Sequence, residues 1–177
     1  MARKDDKPAQ LDLKIVPGLG EPPGFCQYAA GPCDQEFQGV QPSQGILLYP
    51  MEPRQIAATI EEAANLIRRQ NASSVWRTWR EFQVTGQIIF CSICKSMRFA
   101  EYIVADVTTL NFNLLLEIGF ALALGLPVIP IRDTTFIRDK RAFEELGMLD
   151  TIGYLDFQNS AGLVRSFPAC KTQRFGL

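Results

Sequence analysis

The chain contains no histidine. That one absence removes Ser-His-Asp and Cys-His catalysis, histidine general bases and histidine metal ligands together. Any chemistry falls to Asp, Glu, Cys, Lys, Tyr or Ser. A surplus of charge is missing too: 18 Lys and Arg against 19 Asp and Glu leave a net charge of −1. Non-specific attachment to nucleic acid or acidic lipid then has no electrostatic drive, so no direct nucleic-acid or membrane partner is expected. No apolar run is long enough to span a bilayer. The opening residues, Met1 to Pro8, lack the apolar stretch of a signal peptide, which makes the expected location cytoplasmic. A Gly-rich phosphate loop is also lacking, because Pro17-Gly-Leu-Gly20 precedes no predicted helix.

What is present describes an ordinary globular chain: 177 residues, 47% hydrophobic and 21% charged. That is one domain, large enough to bury a core without metal or disulfide staples. Residues 1–23 are rich in Pro, Gly and charge and read as a flexible lead-in. Residues 24–157 alternate strand and helix. Residues 158–177 show no clear periodicity and read as an extension, with a further domain beyond it left open. The alternation predicts a doubly wound α/β domain with about five parallel strands in order 2-1-3-4-5. The predicted strands are Phe25–Ala29, Ser74–Trp79, Glu101–Val107, Pro127–Arg132 and Thr151–Phe157. Helices are expected over Pro53–Arg69, Gln87–Phe99, Asn111–Leu124 and 138–146. The apolar Ile46–Tyr49 is assigned to a linker.

In an open parallel sheet, ligands bind beyond the carboxyl ends of the strands. On this reading the first strand delivers Tyr28 and Gly31 to that edge. The third delivers Asp106, followed by Asn111 and Asn113, and the fourth delivers Asp133. The helix after the third strand carries the strongest signal. From Leu114 to Leu124 it is apolar almost all round, which predicts burial, and Glu117 is its only charge. An unpaired carboxylate there costs several kcal/mol, roughly, unless it is neutralised, paired or opened to a ligand. Either Glu117 pairs with a buried cation as a structural element, or it faces a site. Asn113, one turn earlier, shares its face.

The stretch from Ala105 to Ile129 resembles the nucleoside 2-deoxyribosyltransferase-like group. It carries Ala105-Asp106, then Asn111-Phe-Asn113, then Glu117-Ile-Gly-Phe-Ala-Leu-Ala-Leu-Gly125-Leu-Pro-Val128. Ala30-Gly31-Pro32 is similar to that group's first loop. Leu126 stands where the group has lysine, and residues 33–50 have no counterpart. The group is akin to TIR domains, whose enzymatic members cleave NAD with a glutamate on the corresponding helix. The resemblance implies that Glu117 is the catalytic carboxylate and that Asp106 and Asn113 hold base or ribose. It also implies an effector role in defence or toxicity, with a homo-oligomer or a sensor as partner.

The expected activity is cleavage of the N-glycosidic bond of NAD or a related nucleotide, with NAD as substrate and no cofactor. Such cleavage builds positive charge at the anomeric carbon, which a fixed carboxylate stabilises. Nicotinamide leaves neutral from a cationic state, so no strong general acid is required. An ordinary nucleoside would need one, from Asp106 or Asp133. The alternatives are a salvage-type nucleoside 2-deoxyribosyltransferase and a non-catalytic nucleotide-binding or assembly module.

Five cysteines, an odd count, fit reduced thiols better than a disulfide framework. Cys91-Ser-Ile-Cys94 is a Cys-x-x-Cys pair, and Cys26 and Cys33 complete the number for a zinc site. Against zinc, Cys26 falls in the predicted first strand and Cys33 lacks a close-spaced partner. Ordinary buried cysteines are the expectation, and no metal is assigned. Trp76 and Trp79, three apart on a predicted strand, point to opposite faces, one to the core and one outward.

Overall fold

A fully buried parallel strand reads as an unbroken apolar run, because helices cover both of its faces. Ile46-Leu47-Leu48 is such a run. In a computed structural model, which describes residues 26, 31–33, 40, 43–70, 75–82, 89–109, 111–136 and 153–172, it forms the heart of β1 (Ser43–Leu48). There follow α1 (Arg54–Gln70), β2 (Trp76–Thr78), a 3-10 turn (Trp79–Glu81), α2 (Ile89–Met97), β3 (Ala100–Asp106) and α3 (Phe112–Ala123). The chain continues with β4 (Val128–Asp133), β5 (Leu155–Phe157) and α4 (Ser160–Thr172). The five strands are all parallel, in order β2-β1-β3-β4-β5, as the alternation predicts.

The first strand, however, is not Phe25–Ala29. It is the run assigned to a linker, and Gly45 before it and Pro50 after it had disguised it as a loop. Cys26 instead makes an isolated antiparallel bridge with Gly31, ahead of the sheet. Tyr28 and the predicted helix at 138–146 lie outside the described residues. The other predicted elements fall within a few residues of their expected bounds, although β5 is only three residues long.

Alternate residues of β1 feed two cores. Leu47 joins Ile56, Ile60, Ala63 and Ala64 of α1 and Leu163 of α4 on one face. Ile46 and Leu48 join Ile93 and Met97 of α2 and Leu114, Ile118 and Ala121 of α3 on the other. α1 was legible because its apolar residues recur at helical spacing, and its last turn carries Arg68 and Arg69, which complement the helix dipole. α4 was not legible because its apolar stripe is thin: Leu163 is its fully buried anchor among the described side chains.

The edge strand β2 is held by Arg68. Its Nε and Nη2 donate to the Trp76 carbonyl at 2.9 and 2.7 Å, and Nη2 also pairs with Glu81. Glu81 in turn accepts from the Thr78 amide and hydroxyl, both at 3.0 Å. Trp76 lies flat across β1 at Gly45, its register partner. A Cβ on Gly45 would sit 2.1 Å from the Trp76 ring, and the ring is itself buried. Gly45→Ala is therefore expected to destabilise by about 1–3 kcal/mol or more, as overpacking does. Chemical denaturation checks this, and Trp76→Leu in the same chain should recover part of the loss.

Candidate functional site

With β1 between β2 and β3, the strand order reverses direction at β1 and β3, and the crevice outside their carboxyl ends is the fold's natural ligand site. Two chain exits flank it. β1 leaves through Tyr49, Pro50, Met51 and Glu52 into α1, and β3 leaves through Val107, Thr108 and Thr109 into α3. The sequence reading had the second exit but not the first. Tyr28 and Gly31 are thus not delivered by a strand: Gly31 lies in the bridge with Cys26. The signal that would have found the true exit was Ile46–Tyr49.

Asp106 ends β3 and is fully buried. One carboxylate oxygen accepts from the Thr108 amide at 3.1 Å and from the Thr108 hydroxyl. The other is buried and, among the described residues, has no partner. Burial, and secondarily the charge of Asp133, pushes its pKa up to about 6 against the pull of the Thr108 bonds. The Thr108 hydroxyl also accepts from the Asp133 amide at 2.8 Å. Asp133, buried at the end of β4, repeats the turn, accepting from the Thr135 amide and hydroxyl at 2.8 and 2.6 Å. Asp106 and Asp133 are therefore brought together, as shapers of two turns beneath the crevice rather than as groups open to it.

Asn111 caps α3: its side-chain oxygen accepts from the amides of Asn113 and Leu114 at 2.9 and 3.5 Å. That cap satisfies donors the helix start leaves open, so the oxygen is committed to structure. Asn113 is exposed. α3 is not buried all round. Leu114, Ile118 and Ala121 face the sheet, while Phe112 is 90% and Leu116 62% exposed, with Gly119 and Ala123 on the same outward stripe.

Glu117 lies on the flank between these faces, half-buried, ~7.5 Å along the axis from the start of α3 at 1.5 Å per residue. Burial alone raises its pKa to about 7. Among the described residues no cation or hydrogen-bond donor meets its carboxylate. The structural explanation for this charge, a paired ion in a closed core, does not hold among the described residues.

A cavity of about 260 Å³ does open on the molecule, but between α1 and β2, lined by Glu61, Asn65, Arg68, Thr78, Arg80 and Glu81. Its charges are spoken for. Glu61 accepts from Tyr49 at 2.8 Å and Arg80 at 2.7 Å. These bonds overcome burial and hold its carboxyl below the usual range. It has none of the residues singled out from the sequence. Among the described residues no helix is long and apolar enough to cross a membrane.

The TIR domain of the Toll-related receptor TRR-2 from Hydra magnipapillata superposes with a TM-score of 0.50 at 14% identity, over 75% of this chain and 95% of that one. The fold is TIR-like. A conserved protein from Enterococcus faecalis V583 aligns at 0.46 and 15% identity, over 71% of this chain and 87% of its own. The TIR domains of the Roq1 resistosome, which recognises the effector XopQ, align at 0.44 and 11%, over 74% of each. No known family profile matches the sequence, and no curated protein does. The likeness of residues 105–129 to nucleoside 2-deoxyribosyltransferases stays one of sequence.

Glu117 makes a pH-dependent prediction. Its pKa rises from an ordinary 4.5 to about 7 on folding, so in that window the unfolded chain holds fewer protons. Stability therefore falls as pH rises from about 4.5 to about 7, and the full cost of the buried charge is present above it. Glu117→Gln should melt higher than the parent at about pH 8, with the gap closing at about pH 4. A variant that melts lower at the upper pH would assign Glu117 a structural partner.

Proposed function

We propose that the chain is an N-glycosidase that hydrolyses NAD or a related nucleotide, with Glu117 as its catalytic carboxylate. The single observation that carries this reading is a half-buried carboxylate without a counter-ion on α3, beside the crevice of a TIR-like sheet. A charge kept at such cost, with its pKa moved towards neutrality, is a mark of functional sites. The β1–α1 exit adds a helix start and Arg54, which is exposed and tied only to Glu52 in a surface ion pair of little strength. Arg54 and that helix start are suited to the phosphates of a dinucleotide.

In the reaction the bond between the anomeric carbon and the pyridinium nitrogen breaks, and its electron pair returns to nicotinamide. The ionised Glu117 stabilises the positive charge growing on the sugar. Water closes the carbon and gives up its proton, yielding nicotinamide and ADP-ribose. No histidine is needed at any step.

A second reading, a non-catalytic assembly module, draws on the outward stripe of Phe112 and Leu116. Exposed apolar surface of this kind marks contact with another protein, and a second copy of the chain is the partner we propose in either reading. One experiment separates the two. The protein is incubated with NAD, and separately with a deoxynucleoside and a free base, at concentrations where light scattering shows self-association. The first reading predicts nicotinamide release that climbs with pH to a plateau above about 7. It also predicts a fall of roughly 10²–10⁴-fold in Glu117→Gln. Arg54→Ala should raise KM more than it lowers kcat. Base exchange without NAD loss would identify a transferase, and assembly without turnover would identify the module.

A further inference from the structure

Because Phe25–Ala29 is not a core strand, the objection to a metal role for Cys26 falls away. The Cys26 amide donates to the Gly31 carbonyl at 2.6 Å, and the Gly31 amide donates back to Cys26 at 3.4 Å. This narrow reversal returns Cys33, two residues beyond Gly31, towards Cys26. On α2, Cys91 and Cys94 stand three residues apart, which puts their Cβ atoms on one face and about 5–6 Å from each other. The turn and the helix also meet. Both Cys26 and Cys33 lie near enough to Cys94 to act on its charge. All four thiols are half-buried and none is in a disulfide.

We propose that Cys26, Cys33, Cys91 and Cys94 bind a zinc ion that clips the chain ahead of β1 to α2. Two thiolates from a tight reversal and two from one helical turn make a four-sulfur tetrahedral set, the donor set of a closed structural site. Only soft donors are offered, which selects against magnesium and calcium. Arg98, already hydrogen-bonded to the Cys94 sulfur, and Lys95 beside it supply positive charge against a cluster that is net negative. On binding, each S–H bond gives way to a Zn–S bond of about 2.3 Å, and the displaced protons pass to solvent. Among the described residues no group of three or more His, Cys, Asp or Glu side chains already stands at ligand spacing. The metal therefore gathers the thiolates as it deprotonates them, a coupling common in small metal sites. The clip acts on the core through α2, since Ile93 and Met97 share a cluster with Ile46 and Leu48 of β1 and Ile118 of α3.

The test uses the full chain, stripped with a chelator under reducing conditions and titrated with cobalt(II). A thiolate-to-cobalt charge-transfer band and strong tetrahedral ligand-field bands should appear, saturate near about one ion per chain and vanish on adding zinc. Protein produced with zinc should carry about one zinc per chain by elemental analysis. Cys33→Ser and Cys94→Ser should each weaken zinc retention by about 10-fold or more, and Cys170→Ser should not. The cobalt titration of the parent chain needs no variant, so a misfolded substitution cannot obscure the result. The proposal is overturned if no charge-transfer band forms, or if the band survives Cys26→Ser with Cys33→Ser. It is equally overturned if mass analysis finds a metal-free chain lighter by two hydrogens, the sign of a disulfide.

Discussion

β1 has to be apolar on both faces at once, and the rest of the fold is arranged around that requirement. Leu47 needs α1 and α4 above it, while Ile46 and Leu48 need α2 and α3 below. Remove either layer and a strand with no polar face is left in water, at a cost of about 1.5–3 kcal/mol for each large side chain exposed. The close approach of Trp76 to Gly45 belongs to the same demand: the only large aromatic on β2 can cover β1 because β1 offers it a residue without a side chain. The order of the strands, the crevice at β1 and β3 and the placement of α3 all follow from seating this strand in the middle.

Much of this could be read from the residues, and where it could not the reason is physical. Helical periodicity made α1 plain, and the alternation of elements gave the strand order even though β1 was placed some twenty residues too early. A run of three buried aliphatics between glycine and proline has no periodicity to distinguish it from a loop. α3 failed differently: an all-apolar helix was expected to be enclosed, yet Phe112 and Leu116 face outward. Composition tells how apolar a surface is, not whether this chain alone covers it. Glu117 was legible because a lone charge in such a helix is conspicuous whatever surrounds it. Asp106, Asn111 and Asp133 were legible as polar residues at the sheet edge, but their work in caps and turns depends on hydrogen bonds that a linear pattern does not contain.

The two kinds of acid at this edge show what burial does to a carboxylate. Asp133 and Asp106 are stitched into turns by threonine hydroxyls and backbone amides. Glu117 has only desolvation acting on it. A fold optimised for stability alone would place glutamine or leucine there. That a glutamate occupies the position, in a chain without histidine, is why the chemistry proposed for this protein centres on one residue.

The clasp of Arg68 on the Trp76 carbonyl reaches beyond local order. That carbonyl belongs to an outermost strand, and an incoming β-segment from another molecule would have to bond to such a group in order to extend the sheet. Arg68 occupies it with two donors, and β2 offers only three residues in any case. Growth by strand addition is thereby discouraged on that side, so copies of this chain would meet there through helices rather than through a shared, spreading ribbon. A molecule that carries an uncovered apolar helix can then associate without taking the first step towards a fibril.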